Sequence, residues 1–254
     1  MFGWLTERRR ARLLEQPFPL DWEGYLDERV AIWQKLDEPM RQRLRDLTLV
    51  FVDEKHWEGS GGLELTDEMK VTIGAHACVL LLGREHALYQ DVESILVYPT
   101  TMVSPRRPRS FFEVGAVPVD EGGTAILGEA HLGGPVILAW DSVVAGGRAG
   151  AVRNVVFHEL AHKIDMLDGA VDGTPPLDST AARRQWAEVC SHAFLELRER
   201  VEAGQRSFLD DYGATHEAEF FAVATEAYFL QPKKLRRHEP ALHALLAGFY
   251  RIEL

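Results

Sequence analysis

The run Ala151-Val-Arg-Asn-Val-Val-Phe-His158-Glu-Leu-Ala-His162-Lys-Ile-Asp165-Met-Leu167 decides how the rest of the chain is read. Its first half is apolar through Val152, Val155, Val156 and Phe157, which predicts a buried helix over 151–167. Residues four apart share a helix face, so His158 and His162 can reach one metal ion. Glu159 lies about 100° around the axis, close enough to take a proton from a water at that metal without competing as a ligand. Neutral imidazole suits zinc, and a carboxylate suits proton transfer. The alternative is two ordinary histidines on a helix face. Burying two histidines and a glutamate in an apolar helix is costly unless they are paired or metal-bound, which favours the metal.

Zinc needs a third protein ligand. Asp168 stands six residues after His162, where one class of zinc peptidase has its third ligand. That class also needs a methionine turn further on, and the last methionine here is Met166, so Asp168 ranks low. A glutamate on a later helix is the other choice. Tyr212-Gly-Ala-Thr-His-Glu-Ala-Glu219-Phe-Phe-Ala222 opens an apolar segment that carries both Glu219 and Glu226. A carboxylate among Phe220, Phe221, Val223 and Ala224 needs a partner. One exposed polar stripe would also account for 219 and 226, although Val223 interrupts it.

Further out, the first 50 residues show helical spacing: Leu26, Val30, Trp33 and Leu36, then Leu44, Leu47 and Phe51. Gly59–Gly62 reads as a loop. Thr66 caps a helix running to Leu82, with Gly83 as its stop. Strands are expected at Ser94–Tyr98, Phe111–Val119 and Val136–Trp140. Helices return over Ala151–Leu167, Ser179–Ala203, Glu217–Leu230 and Ala241–Tyr250. Helices, a few strands, then helices is an α+β order, not the alternation of a doubly wound parallel sheet. No linker or repeat divides the 254 residues, so one domain is expected, helical over about 17–90 and with its chemistry over about 91–230.

Composition narrows the function. With 46% hydrophobic residues the chain is an ordinary globular protein, and a net charge of −11 argues against general nucleic-acid binding. Two cysteines, Cys78 and Cys190, cannot build a disulfide framework or a four-cysteine zinc site. Neither a secretory signal nor a membrane span is legible, and the expected place is the cytoplasm. His76 and His86 have no carboxylate at ligand spacing. The cluster Arg106, Arg107 and Arg109 and the run Arg8–Arg12 read as solvated surface.

The pairing of His158-Glu-Leu-Ala-His162-Lys-Ile-Asp165 with Tyr212-Gly-x-x-x-Glu-Ala-Glu219-Phe-Phe-Ala resembles the MtfA family of metallopeptidases. The same two segments are similar to the catalytic domain of anthrax lethal factor. The likeness extends upstream through Phe51-Val-x-x-Lys-x-Trp57-x-Gly59, Gly62-Leu-Glu-Leu-Thr66 and Val97-Tyr98-Pro99, covering about Pro17 to Leu230. It implies a zincin-like, gluzincin-type domain with a small mixed sheet. It also implies zinc held by His158, His162 and Glu219, with Glu159 as general base and Tyr212 donating a hydrogen bond to the oxyanion. Tyr212 could equally be a core tyrosine. Asp165 matches an acidic position after the zinc motif, and is either a support for a ligand or a helix-end loop residue. Val136–Trp140 would be the edge strand along which a peptide substrate lies, or a plain core strand. The family also implies an Mlc-like transcriptional repressor as partner. A regulatory binding protein with a structural zinc site is therefore the rival to a peptidase.

Overall fold

The computed structural model describes residues 3–84, 89–100, 102–103, 125–126, 128–130 and 134–253. The predicted strand Phe111–Val119, His86 and the Arg106–Arg109 cluster lie outside them. Ten helices and six short strands follow in chain order among the described residues. Helices α1 (Gly3–Leu14), α2 (Leu20–Arg29) and α3 (Glu38–Glu54) come first, then β1 (His56–Gly59) and α4 (Asp67–Val79). Strands β2 (Ser94–Tyr98), β3 (Met102–Val103), β4 (Ala125–Ile126), β5 (Gly128–Ala130) and β6 (Val136–Ala139) fill the middle. The rest is helical: α5 (Trp140–Gly146), α6 (Val155–Asp165), α7 (Thr180–Glu202), α8 (Glu217–Leu230), α9 (Pro232–His238) and α10 (Pro240–Tyr250).

The main sheet has the order β1-β2-β6-β5. The first three strands are parallel, and β5 runs antiparallel along β6. Parallel neighbours need a crossover. Helix α4 supplies the one between β1 and β2, started by Thr66, whose side chain accepts from Met69 N as the sequence suggested. The arrangement is α+β with a small mixed sheet. Two expectations need correcting. Gly59 ends strand β1 instead of opening a loop. Val136–Trp140 is no edge: β6 stops at Ala139, lies between β2 and β5, and buries Val136, Leu138 and Ala139. On that side the open edge among the described residues belongs to β5, which lies against α6.

One hydrophobic cluster runs from Leu26 to Ile252 and joins the sheet to the helices. At its centre Phe157 of α6 meets the rings of His76 on α4 and Phe229 on α8. Burying a side chain of that size contributes about 2–3 kcal/mol, so this contact holds the three helices together. The C-terminus is part of the core too. Tyr250 is fully buried and shares a 2.8 Å hydrogen bond with Thr225 of α8. No helix is long and apolar enough to cross a membrane.

Candidate metal centre

Helix α6 begins four residues later than the apolar pattern implied, because Asn154 caps it. The Asn154 side chain accepts from Val156 N and Phe157 N, donates to the Gly146 carbonyl at 3.1 Å, and is buried. A cap of this kind is worth about 1 kcal/mol. Here it also sets the start of α6, and with it the rotation that turns 158 and 162 toward α8. The backbone N–H of Asn154 donates to Glu226 on α8. At the sheet side, the buried Lys163 donates to the Gly134 carbonyl at 2.6 Å, tying α6 to the entry of β6.

Helix α8 is capped by His216, whose Nδ1 accepts from Ala218 N. Glu219 stands in its first turn, where the helix dipole favours a negative charge. The start of α8 is located by Gly173, which has a φ of 76° and lies so close to Glu217 that a Cβ would come within 2.4 Å of its carbonyl oxygen. Only glycine satisfies both conditions. Gly173 N donates to Asp165, and the Gly173 carbonyl accepts from Trp186 of α7. Asp165 is therefore no surface loop residue. It is fully buried at the end of α6 and braces the turn that seats Glu219. Burial raises its pKa to about 6.

These elements bring His158 Nε2, His162 Nε2 and Glu219 Oε2 into a triangle. Its sides are 2.9 Å (158 to 219), 3.2 Å (158 to 162) and 3.3 Å (162 to 219). A tetrahedral ion with bonds of about 2.0–2.1 Å has ligand atoms about 3.3 Å apart, so the triangle is the size of one tetrahedral face. Two imidazoles and a carboxylate are also a donor set that zinc accepts. Among the described residues this is the one histidine, cysteine and carboxylate group whose donor atoms converge, all within 4.8 Å. The residues fit a metal.

A fourth side chain completes the arrangement. Glu226 Oε1 lies 2.9 Å from His158 Nδ1, on the ring nitrogen opposite the triangle. A carboxylate there fixes the ring's orientation and tautomer and raises its basicity. The sequence reading weighed Glu226 as a rival ligand or as part of a solvated stripe. Its spacing of seven from Glu219 was the available signal: two carboxylates two turns apart on one face can take the two nitrogens of a single ring. The reading of 219 and 226 as a solvated stripe fails, since Glu226 is buried and Glu219 mostly covered. Burial alone would lower the pKa of His158. Hydrogen bonds that the ring donates to Glu219 and then to Glu226 outweigh it and raise the pKa well above the ordinary imidazole value. Burial likewise disfavours the Glu219 anion, yet hydrogen bonds from His158 and His162 hold its pKa far below the usual carboxylate range.

Glu159 and Tyr212 line a cavity of about 590 Å³ together with His158. Tyr212 is 49% exposed, so it is not a core tyrosine, and its ring centroid lies 6.0 Å from that of His158. It sits on the short 3-10 turn Asp211–Ala214. Asp210 accepts from Tyr212 N, Thr215 Oγ1 donates to the Tyr212 carbonyl, and a Cβ on Gly213 would press on Leu197 and Val223 at 3.3 Å. Partial burial, then the charges of Glu219 and Glu159, push its phenol up to about 12. It is a protonated donor at neutral pH. Asp168, the ligand ranked low, forms a short 3-10 turn after α6 and is not in the cluster.

A capped α6, an α8 seated beside it and a converging His–His–Glu set define an α+β protein with a candidate metal centre on a cleft. The chain belongs to the glucose-regulated metallo-peptidase M90 family, whose model matches residues 4–251. This match reaches past the Pro17–Leu230 resemblance at both ends, in line with the buried C-terminus. The chain is 32% identical over 252 residues to the uncharacterized protein slr2042 of Synechocystis, covering 98% of this chain and 90% of that protein. It is 25% identical over 254 residues to Mlc titration factor A of Yersinia pestis, covering 98% of this chain and 88% of that protein.

Proposed function

We propose that the chain is a cytoplasmic zinc-dependent peptidase of zincin-like, single-domain architecture. The carrying observation is the 2.9–3.3 Å triangle of His158, His162 and Glu219 beside the cavity lined by Glu159 and Tyr212. Family membership supports a metallopeptidase, and two cysteines without a disulfide suit a reducing compartment. His158, His162 and Glu219 would hold the ion. A bound zinc ion supplies Lewis acidity and a nucleophile from water at neutral pH. Glu159 takes the water proton and returns it to the leaving amine. Tyr212 keeps its proton and donates a hydrogen bond to the oxygen on which negative charge develops. Glu226 holds the His158 ring in place while charge moves.

The name of the Yersinia relative supports a second reading, in which the chain binds an Mlc-like transcriptional repressor. Three protein ligands leave a tetrahedral ion one position open, whereas a structural site closes with a fourth. The peptidase reading is therefore preferred, and binding a repressor is compatible with it. Metal analysis of purified protein, with peptide hydrolysis measured before and after chelation and after zinc is restored, tests both. Zinc near one per chain with chelator-sensitive hydrolysis is expected. Stoichiometric zinc with no hydrolysis of any peptide would leave the binding protein.

A further inference from the structure

A second cavity, of about 870 Å³, adjoins the metal cleft. The two share Val152, Arg153, Asp210, Val223 and Glu226, so they lie side by side along one groove-like face. Their chemistry differs. The cleft at His158 has a mainly apolar wall, including Ala145, Ala151 and Val155. The second cavity carries Arg153, Arg200, Arg206 and Lys234, with His238 stacked on Phe208 at 5.3 Å. Its acidic residues are largely committed. Asp210 pairs with Arg153 at 2.6 Å, and Glu226 faces His158 and Asn154. Asp211 is exposed and pairs with no cation among the described residues. Among the basic groups, Arg200 is held by Glu196 at 2.5 Å. Arg206 pairs with no carboxylate among the described residues, and Lys234 donates only to Gln231, at 2.9 Å.

Arg206 and Lys234 are exposed, and both line the wall of this cavity beside the metal cleft on a chain of net charge −11. Concavity focuses their field, while the rest of the surface repels anions. We propose that this pocket binds a carboxylate of a peptide lying in the groove, either an acidic side chain or the peptide's own C-terminus. The inference rests on the peptidase reading and narrows its substrate class to peptides with a carboxylate near the cleaved bond. Arg206 supplies a planar fork that matches a carboxylate, and Lys234 a mobile point charge. Arg153, paired with Asp210, stands on the wall that both cavities share.

The test uses the zinc-loaded full chain and alanine-based fluorogenic peptides. A single glutamate is walked through the positions on each side of the cleaved bond, and each peptide is made as a C-terminal acid and as an amide. Glutamate at one position should raise kcat/KM by about tenfold over alanine, mainly through KM, and salt should erode the gain. A gain seen in both forms assigns the side chain, and a gain confined to the acid assigns the C-terminus. The double variant Arg206→Glu with Lys234→Glu should abolish the gain and favour lysine at that position. Cleavage with no preference for a carboxylate, or a preference that the double variant keeps, overturns the inference and leaves the peptidase reading standing. If no peptide is cleaved, the peptidase reading fails and binding decides the inference. A fluorescein-labelled glutamate peptide should then bind the Glu159→Gln protein more tightly than its alanine counterpart, and the double variant should lose that difference. Equal binding overturns it.

Discussion

His76 and His158 are imidazoles on apolar helices, and Phe157 lies between them. Its ring meets His76 at 5.8 Å between centroids, and the next residue along α6 is His158. His76 is 2% exposed, and its Nδ1 has no hydrogen-bond partner among the described residues. Burial pushes its pKa down to about 4, and it stays neutral. His158 is nearly as enclosed but has a carboxylate at each ring nitrogen, Glu219 at one and Glu226 at the other, both at 2.9 Å. Its pKa moves the opposite way. The two histidines differ in what faces them, and for His158 that is supplied by α8. What sets the two imidazoles apart in this fold is the helix packed against each.

Substitutions on the two sides of Phe157 should therefore read out differently. The widest gap is expected in turnover. Glu159→Gln keeps shape and loses the base, so zinc content and fold should persist while hydrolysis falls by about 10²-fold or more. His76→Leu, on the other side, should leave kcat nearly unchanged. A Glu159→Gln protein with near-normal kcat would end the assigned mechanism.

Tyr212→Phe comes next, with an expected loss of about 2–4 kcal/mol in transition-state stabilisation, seen as lower kcat at constant KM and zinc content. A protein that melts earlier with kcat unchanged would show that the phenol serves folding.

The third contrast lies in pH. The folded-state pKa of His76 is depressed, so between pH 6.5 and about 4 the unfolded chain binds the additional proton and stability rises with pH. Acidifying across that window should cost about 3 kcal/mol through this residue. Urea unfolding at a series of pH values should show a flatter profile for His76→Leu than for the parent chain. Parallel profiles would mean that the buried imidazole is protonated in the fold.

The smallest effect would make His158 more like His76. Glu226→Gln removes the charge on the far nitrogen and should weaken zinc affinity by about 10–100-fold, measured by competition with a chelator. Unchanged affinity would show that Glu219 and His162 suffice to orient the ring.

Much of this was legible because it rests on periodicity. Helix α8 spans Glu217–Leu230, the range its apolar run implied. Helical spacing paired His158 with His162, and the family resemblance added Glu219, whose carboxylate the structure brings to within reach of both rings. What escaped was set by contacts distant in sequence. Strand β1 has only four residues, none fully buried, and its one partner among the described residues is β2. Helix α9 buries Leu235 alone among Lys233, Lys234, Arg236 and Arg237, so it has no stripe to detect. The internal place of β6 depends on β5, Gly-Glu-Ala, a composition that favours no strand. Asn154 and Glu226 are polar residues beside Arg153 and Thr225 in otherwise apolar runs. Their roles follow only once α6 and α8 lie side by side.

Glu226 faces Asn154 N with one oxygen and His158 with the other. The first turn of the helix and the metal cluster thus draw on one carboxylate, and neither can loosen without disturbing the other. With an ion held at the candidate centre, unfolding of that turn and release of the ion would be coupled through Glu226. Occupancy then adds to the stability of the whole fold by mass action, about 2.7 kcal/mol when free metal stands at a hundred times its dissociation constant. The melting temperature of the chain is in that sense a gauge of the metal it carries, and it can be read without knowing any substrate.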